Sequence, residues 1–314
     1  MSVPKQDKNM DFIFKSLLAG GVAGMCSKTA VAPLDRIKIL LQAHNNHYKH
    51  LGVFSGLREV VRKESLLALY KGNGAQMVRV FPYAATQFTS FELYSQMFRN
   101  TLGSQSHIGK LLSGSCAGAT AVALTYPLDT IRARLAFQVT ETYTGIVHTA
   151  VSIFQQEGGL RGLYRGFLPT LCGMIPYAGF SFYCFEMLKL LSMKYLPDIT
   201  CTPSSRNTGG LALSIPSKLI CGGFAGAIAQ SIAYPMDVTR RRMQLAMMMP
   251  ETHKFGRFGM IQTLVHIYRE NGIYNGLYRG MSINYLRAMP MVAVSFSVYE
   301  LMKQTLNLDT GLKL

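Results

Sequence analysis

The chain has 314 residues, 49% of them hydrophobic, yet its mean hydropathy is only +0.17. That apolar share excludes a disordered chain, and the length suits one large domain or two small ones, with no evident linker between them. Lys and Arg number 32 against 16 acids, a formal net charge of +16, which suits a phosphate-rich partner: nucleic acid, anionic lipid or a small phosphorylated solute.

The first eleven residues, MSVPKQDKNMD, hold no apolar core and no Arg- and Ser-rich amphipathic pattern. We expect neither a cleaved secretory signal nor a transit peptide, so any organelle address is internal. A small-residue run, LLAGGVAGMCSKTAVA, then leads into the hexad PLDRIK at Pro33. A polar connector follows, then GVFSGLREVVRKE, whose apolar residues recur at helical spacing. The turn LYKG comes next, and a second long apolar segment runs to FELYS.

This order returns twice. PLDTIR stands at Pro127 and PMDVTR at Pro235, spacings of 94 and 108 residues, too long for a solenoid unit. The runs LLSGSCAGATAVALTY and LICGGFAGAIAQSIAY precede them, and each of the three runs holds a Gly-xxx-Gly step, at Gly20, Gly114 and Gly222. In a soluble helix such glycine costs roughly 1 kcal/mol per residue against alanine. In a membrane it lets helix backbones approach closely. A Gly-rich phosphate loop is excluded, because no GKS or GKT follows and no strand precedes. The six cysteines, at 26, 116, 172, 184, 201 and 221, form no CxxC pair and no metal-ligand spacing, so we expect buried thiols and no metal or cofactor.

Each repeat thus holds two segments long enough to cross about 30 Å of hydrocarbon, joined by a surface helix on one side. Three repeats give six crossings with both termini on one side. The predicted fold is an all-α membrane protein of three pseudosymmetric repeats. Residues 1–11 read as a tail, 12–100, 107–193 and 213–307 as the repeats, and 194–212 as a connecting loop. Pro33, Pro127 and Pro235 bend the odd-numbered crossings inward at one depth. There Asp35, Asp129 and Asp237 can meet basic residues of neighbouring repeats in a closed ring, since charges inside a membrane pair with one another and mark a pathway.

The hexads and the aromatic–basic–glycine turns resemble the mitochondrial carrier family from about Phe12 to Asn307. The resemblance implies a monomer in the inner mitochondrial membrane working by alternating access, with cardiolipin on the matrix side. It places the hexads and surface helices on that side. It implies a matrix gate pairing Asp35 with Arg132, Asp129 with Arg240, and Asp237 with Lys38. Gln42 and Gln244 are implied as braces, with Ala136 in the third place. At the other mouth the pattern [FY][DE]xx[KR] is met by Glu186–Lys189 and Glu300–Lys303, whereas Glu92 is followed by Ser95, leaving that cytoplasmic gate one cation short.

Arg79 and Arg287 each stand seven residues past a turn glycine, Gly72 and Gly280, and Lys28 interrupts the first helix. A lipid-facing charge at that depth is costly, so a water-filled cavity is their expected home. Family contact positions fall on Arg79, Gly173–Met174 and Arg287. Lys28, Arg79 and Arg287 are expected to hold phosphates, with Asn284 as a neutral donor. Gly173 and Met174 are expected to form a slot for a flat base, and Tyr177 to stack on it. RRRMQL departs from the RRRMMM of ADP/ATP exchangers after Met243, so the resemblance favours coenzyme A, dephospho-coenzyme A or adenosine 3',5'-bisphosphate. An ADP/ATP or ATP-Mg/phosphate type carrier is the alternative. A basic nucleic-acid binder is the rival from another class, but no groove-reading helix, zinc pattern or RNA-binding motif is visible. No motif places a nucleophile beside a base, so the chain is not expected to be an enzyme.

Overall fold

The computed structural model describes residues 5–43, 48, 51–102, 107–139, 142–203, 211–248 and 250–306. In chain order the first repeat gives α1 (Lys5–Gln42), α2 (Val53–Lys63), a 3-10 turn at Leu67–Tyr70 and α3 (Asn73–Leu102). The second gives α4 (His107–Phe137), α5 (Ile146–Gln156), α6 (Leu160–Leu163) and α7 (Phe167–Tyr195). The connector holds α8 (Pro197–Thr200) and a short antiparallel pair, β1 (Cys201–Pro203) with β2 (Leu211–Leu213). The third repeat gives α9 (Ile215–Gln244), a 3-10 segment at Pro250–Gly256, α10 (Met260–Asn271) and α11 (Met281–Thr305). Two details differ from the sequence reading. α1 already begins at Lys5, inside the expected tail, and the connecting loop carries the strand pair.

Among the described residues six helices are long enough to span. The shortest, α11, has 25 residues, about 37 Å at 1.5 Å per residue. Three segments also meet a stringent hydropathy test by composition: Lys15–Gln42, Leu160–Tyr195 and Pro216–Gln244. Outward-facing Phe88, Leu124, Phe182, Phe224 and Phe296 are exposed, as a lipid-facing surface requires. Pro33, Pro127 and Pro235 lie inside α1, α4 and α9. The even-numbered crossings carry prolines too, Pro82, Pro176 and Pro290, ten residues past Gly72, Gly166 and Gly280.

The extended packing runs between repeats: α3 along α4, α7 along α9, and α11 along α1. The protein-buried cores gather at the hexad end. One joins Ile37 and Leu40 of α1 to Val60, Leu69, Phe137 and Ile283. A second holds Tyr234, Phe255 and Ile267, and a third Ile131, Ile153 and Leu163. At the other end the helices diverge. A Cβ added at Gly20, Gly114 or Gly226 would meet nothing within 4 Å, so these glycines make no close helix contact here. Close approach occurs at Gly21 instead, where a Cβ would come to 2.6 Å from Phe81. The cysteines follow the same division. Cys221 is buried, but Cys26 is exposed and Cys116, Cys172 and Cys184 are half-buried, because membrane helices face lipid and cavity as well as protein.

Candidate functional site: the charged ring and the cavity above it

Three turns set the site. Gly72, Gly166 and Gly280 have φ of 84°, 86° and 81°, which side-chain-bearing residues rarely adopt. A Cβ at Gly72 would lie 2.8 Å from the Arg132 carbonyl, and one at Gly166 would lie 2.9 Å from the Arg240 carbonyl. The start of each even-numbered crossing is thereby pressed against the hexad helix of the next repeat.

At this level the acids of the hexads are shared between repeats. Arg132 Nη2 donates to Asp35 Oδ2 at 2.5 Å, and Arg240 donates to Asp129. Lys38 Nζ stands 3.7 Å from Asp237 Oδ2. Gln244 Nε2 donates to Asp129 Oδ2 and to the Tyr126 hydroxyl, both at 3.0 Å, while Gln42 donates to the Tyr234 hydroxyl at 3.0 Å. Those hydroxyls donate in turn to the carbonyls of Arg165 and Arg279, at the glycine turns. At the third junction both members of this strut are alanine, Ala136 and Ala32.

Arg79 and Arg287 make contacts that the sequence did not disclose. Arg79 Nη1 reaches Asp129 Oδ1 at 3.0 Å, and Arg287 Nη1 reaches Asp35 Oδ1 at 2.6 Å. Both are held by acids of the ring, because those carboxylates are the available counter-charges at that depth. The second-repeat equivalent of these arginines is Gly173, so Asp237 has no such partner. It accepts from Gln230 Nε2 at 3.1 Å, and its side chain is 36% exposed against 7% and 3% for Asp35 and Asp129. Gln230 escaped the sequence reading. Its signal is register, seven residues before Asp237, as Lys28 stands seven before Asp35.

The remaining positions are less uniform. Lys28 makes a soft contact, Nζ to Met291 Sδ at 3.5 Å, and forms no ion pair among the described residues. A Cβ at Gly173 would come within 3.1 Å of Met236 Cβ, so α9 fills part of the expected slot. Met174 lies against Gly118 of α4, with its Cε 3.5 Å from where a Cβ would be. Tyr177 is exposed. Asn284 is buried with neither amide atom partnered, so it does not offer a donor to the open space.

At the opposite mouth the expected ring is not assembled. Lys189 pairs with Glu186 at 3.1 Å and Lys303 with Glu300 at 3.5 Å, each within its own helix. Glu92 is exposed and forms no ion pair among the described residues. Among the described residues no ion pair joins the repeats at this mouth. This conformer is closed at the hexad end and open at the other.

A second ring lies outside the first and was not foreseen. Arg36 donates to both oxygens of Glu64 and to the carbonyls of Ala68, Ala136 and Gln138. Arg134 binds both oxygens of Glu157 and the Gln244 carbonyl, and Arg242 binds the Gln42 carbonyl and Asn271 Oδ1. These bonds staple each surface helix to a crossing of the next repeat. The repeat hides them, since Arg36 sits at a different hexad offset from the other two arginines.

The profile described as "Mitochondrial carrier protein" matches three times, over residues 9–102, 103–196 and 212–310. Solute carrier family 25 member 16 of Bos taurus, the Graves disease carrier, is 55% identical over 94% of this chain and 89% of its own length. The Homo sapiens protein of the same name is 54% identical over the same shares. A protein named mitochondrial coenzyme A transporter SLC25A42, from Xenopus tropicalis, is 40% identical over 95% of this chain and 88% of its own length.

Proposed function

The chain belongs to the mitochondrial carrier family, a multi-pass transporter of the inner membrane and not an enzyme, and from that premise we propose that its solute is coenzyme A. The proposal extends to the related nucleotides dephospho-coenzyme A and adenosine 3',5'-bisphosphate, moved by alternating-access exchange through a monomer. The observation that carries it is the placing of Arg79 and Arg287 on the gate acids Asp129 and Asp35. A phosphate entering the open mouth competes with those carboxylates, because arginine binds phosphate as it binds carboxylate, two oxygens at once. Lys28, which pairs with no acid among the described residues, adds a third donor. As Arg79 and Arg287 turn to the solute, Asp129 and Asp35 lose a partner and the matrix gate loosens. Solute binding and gate opening are then one event, and the gain at the phosphate offsets the loss at the gate.

The solute's flat base is assigned to the face formed by Gly173, Met174 and Tyr177, where no arginine competes. Support for the solute class comes from the named coenzyme A transporter, related over nearly the whole chain. Cardiolipin is assigned to the basic turns. A cavity of about 280 Å³ there is lined by Arg161, Arg165, Gly166, Leu168, Met243 and Gly256, two cations beside apolar walls. Uptake into liposomes, with coenzyme A, dephospho-coenzyme A, ADP and ATP compared, tests the reading. Arg79→Ala is expected to cost about tenfold or more in apparent affinity, the loss of one charge-assisted contact. Wild-type affinity in that variant overturns the assignment.

A further inference from the structure

Gln230 is an amide inside a membrane-spanning helix, and the corresponding positions of the other repeats are Lys28 and Val122. It is half-buried and stands two helical turns from Asp237 toward the open mouth. Its Nε2 donates to Asp237 Oδ2 at 3.1 Å. A carboxylate only accepts, so this bond fixes which end of the amide faces Asp237. Gln230 Oε1 and Asp237 Oδ1 take no hydrogen bond among the described residues. Asp35 and Asp129 differ, because arginines engage both oxygens of each.

The α7–α9 contact places this amide beside the expected base. A Cβ at Gly173 would lie 3.1 Å from Met236, and one at Gly222 would lie 4.0 Å from Phe185, so the two helices run antiparallel. Six residues back from Met236 is Gln230, and six on from Gly173 is Gly179. Gln230 is therefore level with the turn that carries exposed Tyr177. No arginine stands in this sector, since Gly173 holds the place of Arg79 and Arg287. An open carboxylate oxygen repels phosphate and accepts from an amino group.

Holding Asp237 is the plainer role for Gln230. Yet it leaves that acid 36% exposed with one oxygen open, where arginines close the other two acids. With one Nε2 hydrogen on Asp237, the amide keeps its carbonyl and a second N–H side by side. That edge matches adenine, whose 6-amino group donates beside a ring nitrogen that accepts. Asp237 Oδ1 can take the amino group's other hydrogen. Hypoxanthine carries a carbonyl oxygen at that position, which would meet the carboxylate acceptor against acceptor.

We infer that Gln230 reads the solute's base, with Asp237 holding its amide in place, and that the pair selects adenine over a 6-oxo purine. This role rests on the proposed solute being an adenine nucleotide. It adds the group that tells one base from another, while Gly173, Met174 and Tyr177 supply room and stacking.

The test compares adenosine 3',5'-bisphosphate with inosine 3',5'-bisphosphate, which carry the same phosphates. Both are measured as inhibitors of coenzyme A exchange and as stabilisers against unfolding in detergent. Wild type is expected to favour the adenine compound about tenfold, and Gln230→Met to bring the ratio within about twofold by weakening that compound alone. A residue that only supports Asp237 changes both compounds alike, so an unchanged ratio in Gln230→Met overturns the inference. A wild type without preference overturns it too. Should Gln230→Met fail to fold, Asp237→Asn decides: it frees the amide to turn and should narrow the ratio, and an unchanged ratio is again fatal. If wild type moves no coenzyme A, the solute reading fails by itself, and stabilisation then decides for Gln230. An adenine preference that Gln230→Met erases supports the role, and stabilisation by neither compound overturns it.

Discussion

At the matrix end, three carboxylates are shared among side chains of all three repeats, while at the opposite end Glu186 and Glu300 pair only with lysines of their own helices. The first arrangement joins elements distant in sequence, and Asp35 and Asp129 within it are shielded from water. Pairs of the second kind contribute about 0.3–0.5 kcal/mol and hold nothing together across the mouth. Within the glycine stripes, Gly20, Gly114 and Gly226 touch nothing within 4 Å of an added Cβ, while Gly21 and Gly118 meet Phe81 and Met174. On the proposed alternating-access reading, closing the open end requires the ring of Asp35, Asp129 and Asp237 to give up its inter-repeat bonds.

The largest effect separating the two ends is expected in the outer ring. Arg134→Gln leaves Glu157 buried with only Arg165 beside it, at 2.9 Å, and should cost about 3 kcal/mol of stability, the range for breaking a buried pair. Arg242→Gln should cost nearer 1 kcal/mol, because its partner Asn271 carries no charge to strand. Unfolding of the purified carrier in detergent checks both. Equal losses would show that the outer ring acts through packing alone.

Next comes the inner ring, where the three repeats are unequal. Asp129 has Arg240, Arg79 and Gln244 and is 3% exposed, whereas Asp237 has Lys38 at 3.7 Å and Gln230 and is 36% exposed. Asp129→Asn should therefore lower stability by about 2–3 kcal/mol, and Asp237→Asn by no more than about 1 kcal/mol. Transport should also tell them apart. Asp237→Lys is expected to abolish exchange, and Lys38→Asp added to it to recover part, since the pair is rebuilt with its polarity reversed. A double mutant no better than the worse single mutant removes the case for direct pairing.

What the sequence made legible follows from the repeat. Three acids and three bases in one register point to a closed ring, so crossings and glycine turns can be read without coordinates, while the family resemblance supplied which acid meets which base. The departures from symmetry could not be read in that way. Arg79 and Arg287 were recognisable as cavity cations, but nothing in their spacing says that they lean on Asp129 and Asp35. Asn284 looked like a cavity donor by helical spacing and is buried instead, with neither amide atom partnered. Arg36 sits off the register of Arg134 and Arg242, yet it holds an acid of its own repeat, Glu64, and carbonyls of the next, at Ala136 and Gln138. A repeat shows what is threefold and hides what only two repeats share.

The smallest effect is expected at the open mouth, where the chain leaves the family pattern at Ser95. Closing that mouth brings Glu92, Glu186 and Glu300 together with only Lys189 and Lys303 between them, so one carboxylate goes without a cation. Ser95→Lys supplies it. A partly hydrated pair contributes roughly 0.5–1 kcal/mol, which shifts a balanced two-state equilibrium about two- to fivefold. The expected outcome is a larger matrix-open population, measured as faster labelling of a cysteine introduced on the matrix side of the cavity, in a background where Cys26, Cys116, Cys172 and Cys184 are replaced. The exchange rate can move in either direction, because a firmer latch also opens more slowly, so the labelling is the decisive reading. Lys189→Ala is the control from the same ring and should move the population the other way. Unchanged labelling in Ser95→Lys beside a clear response to Lys189→Ala would mean that Glu92 closes against some other group, and that the missing cation is no weakness of the open end.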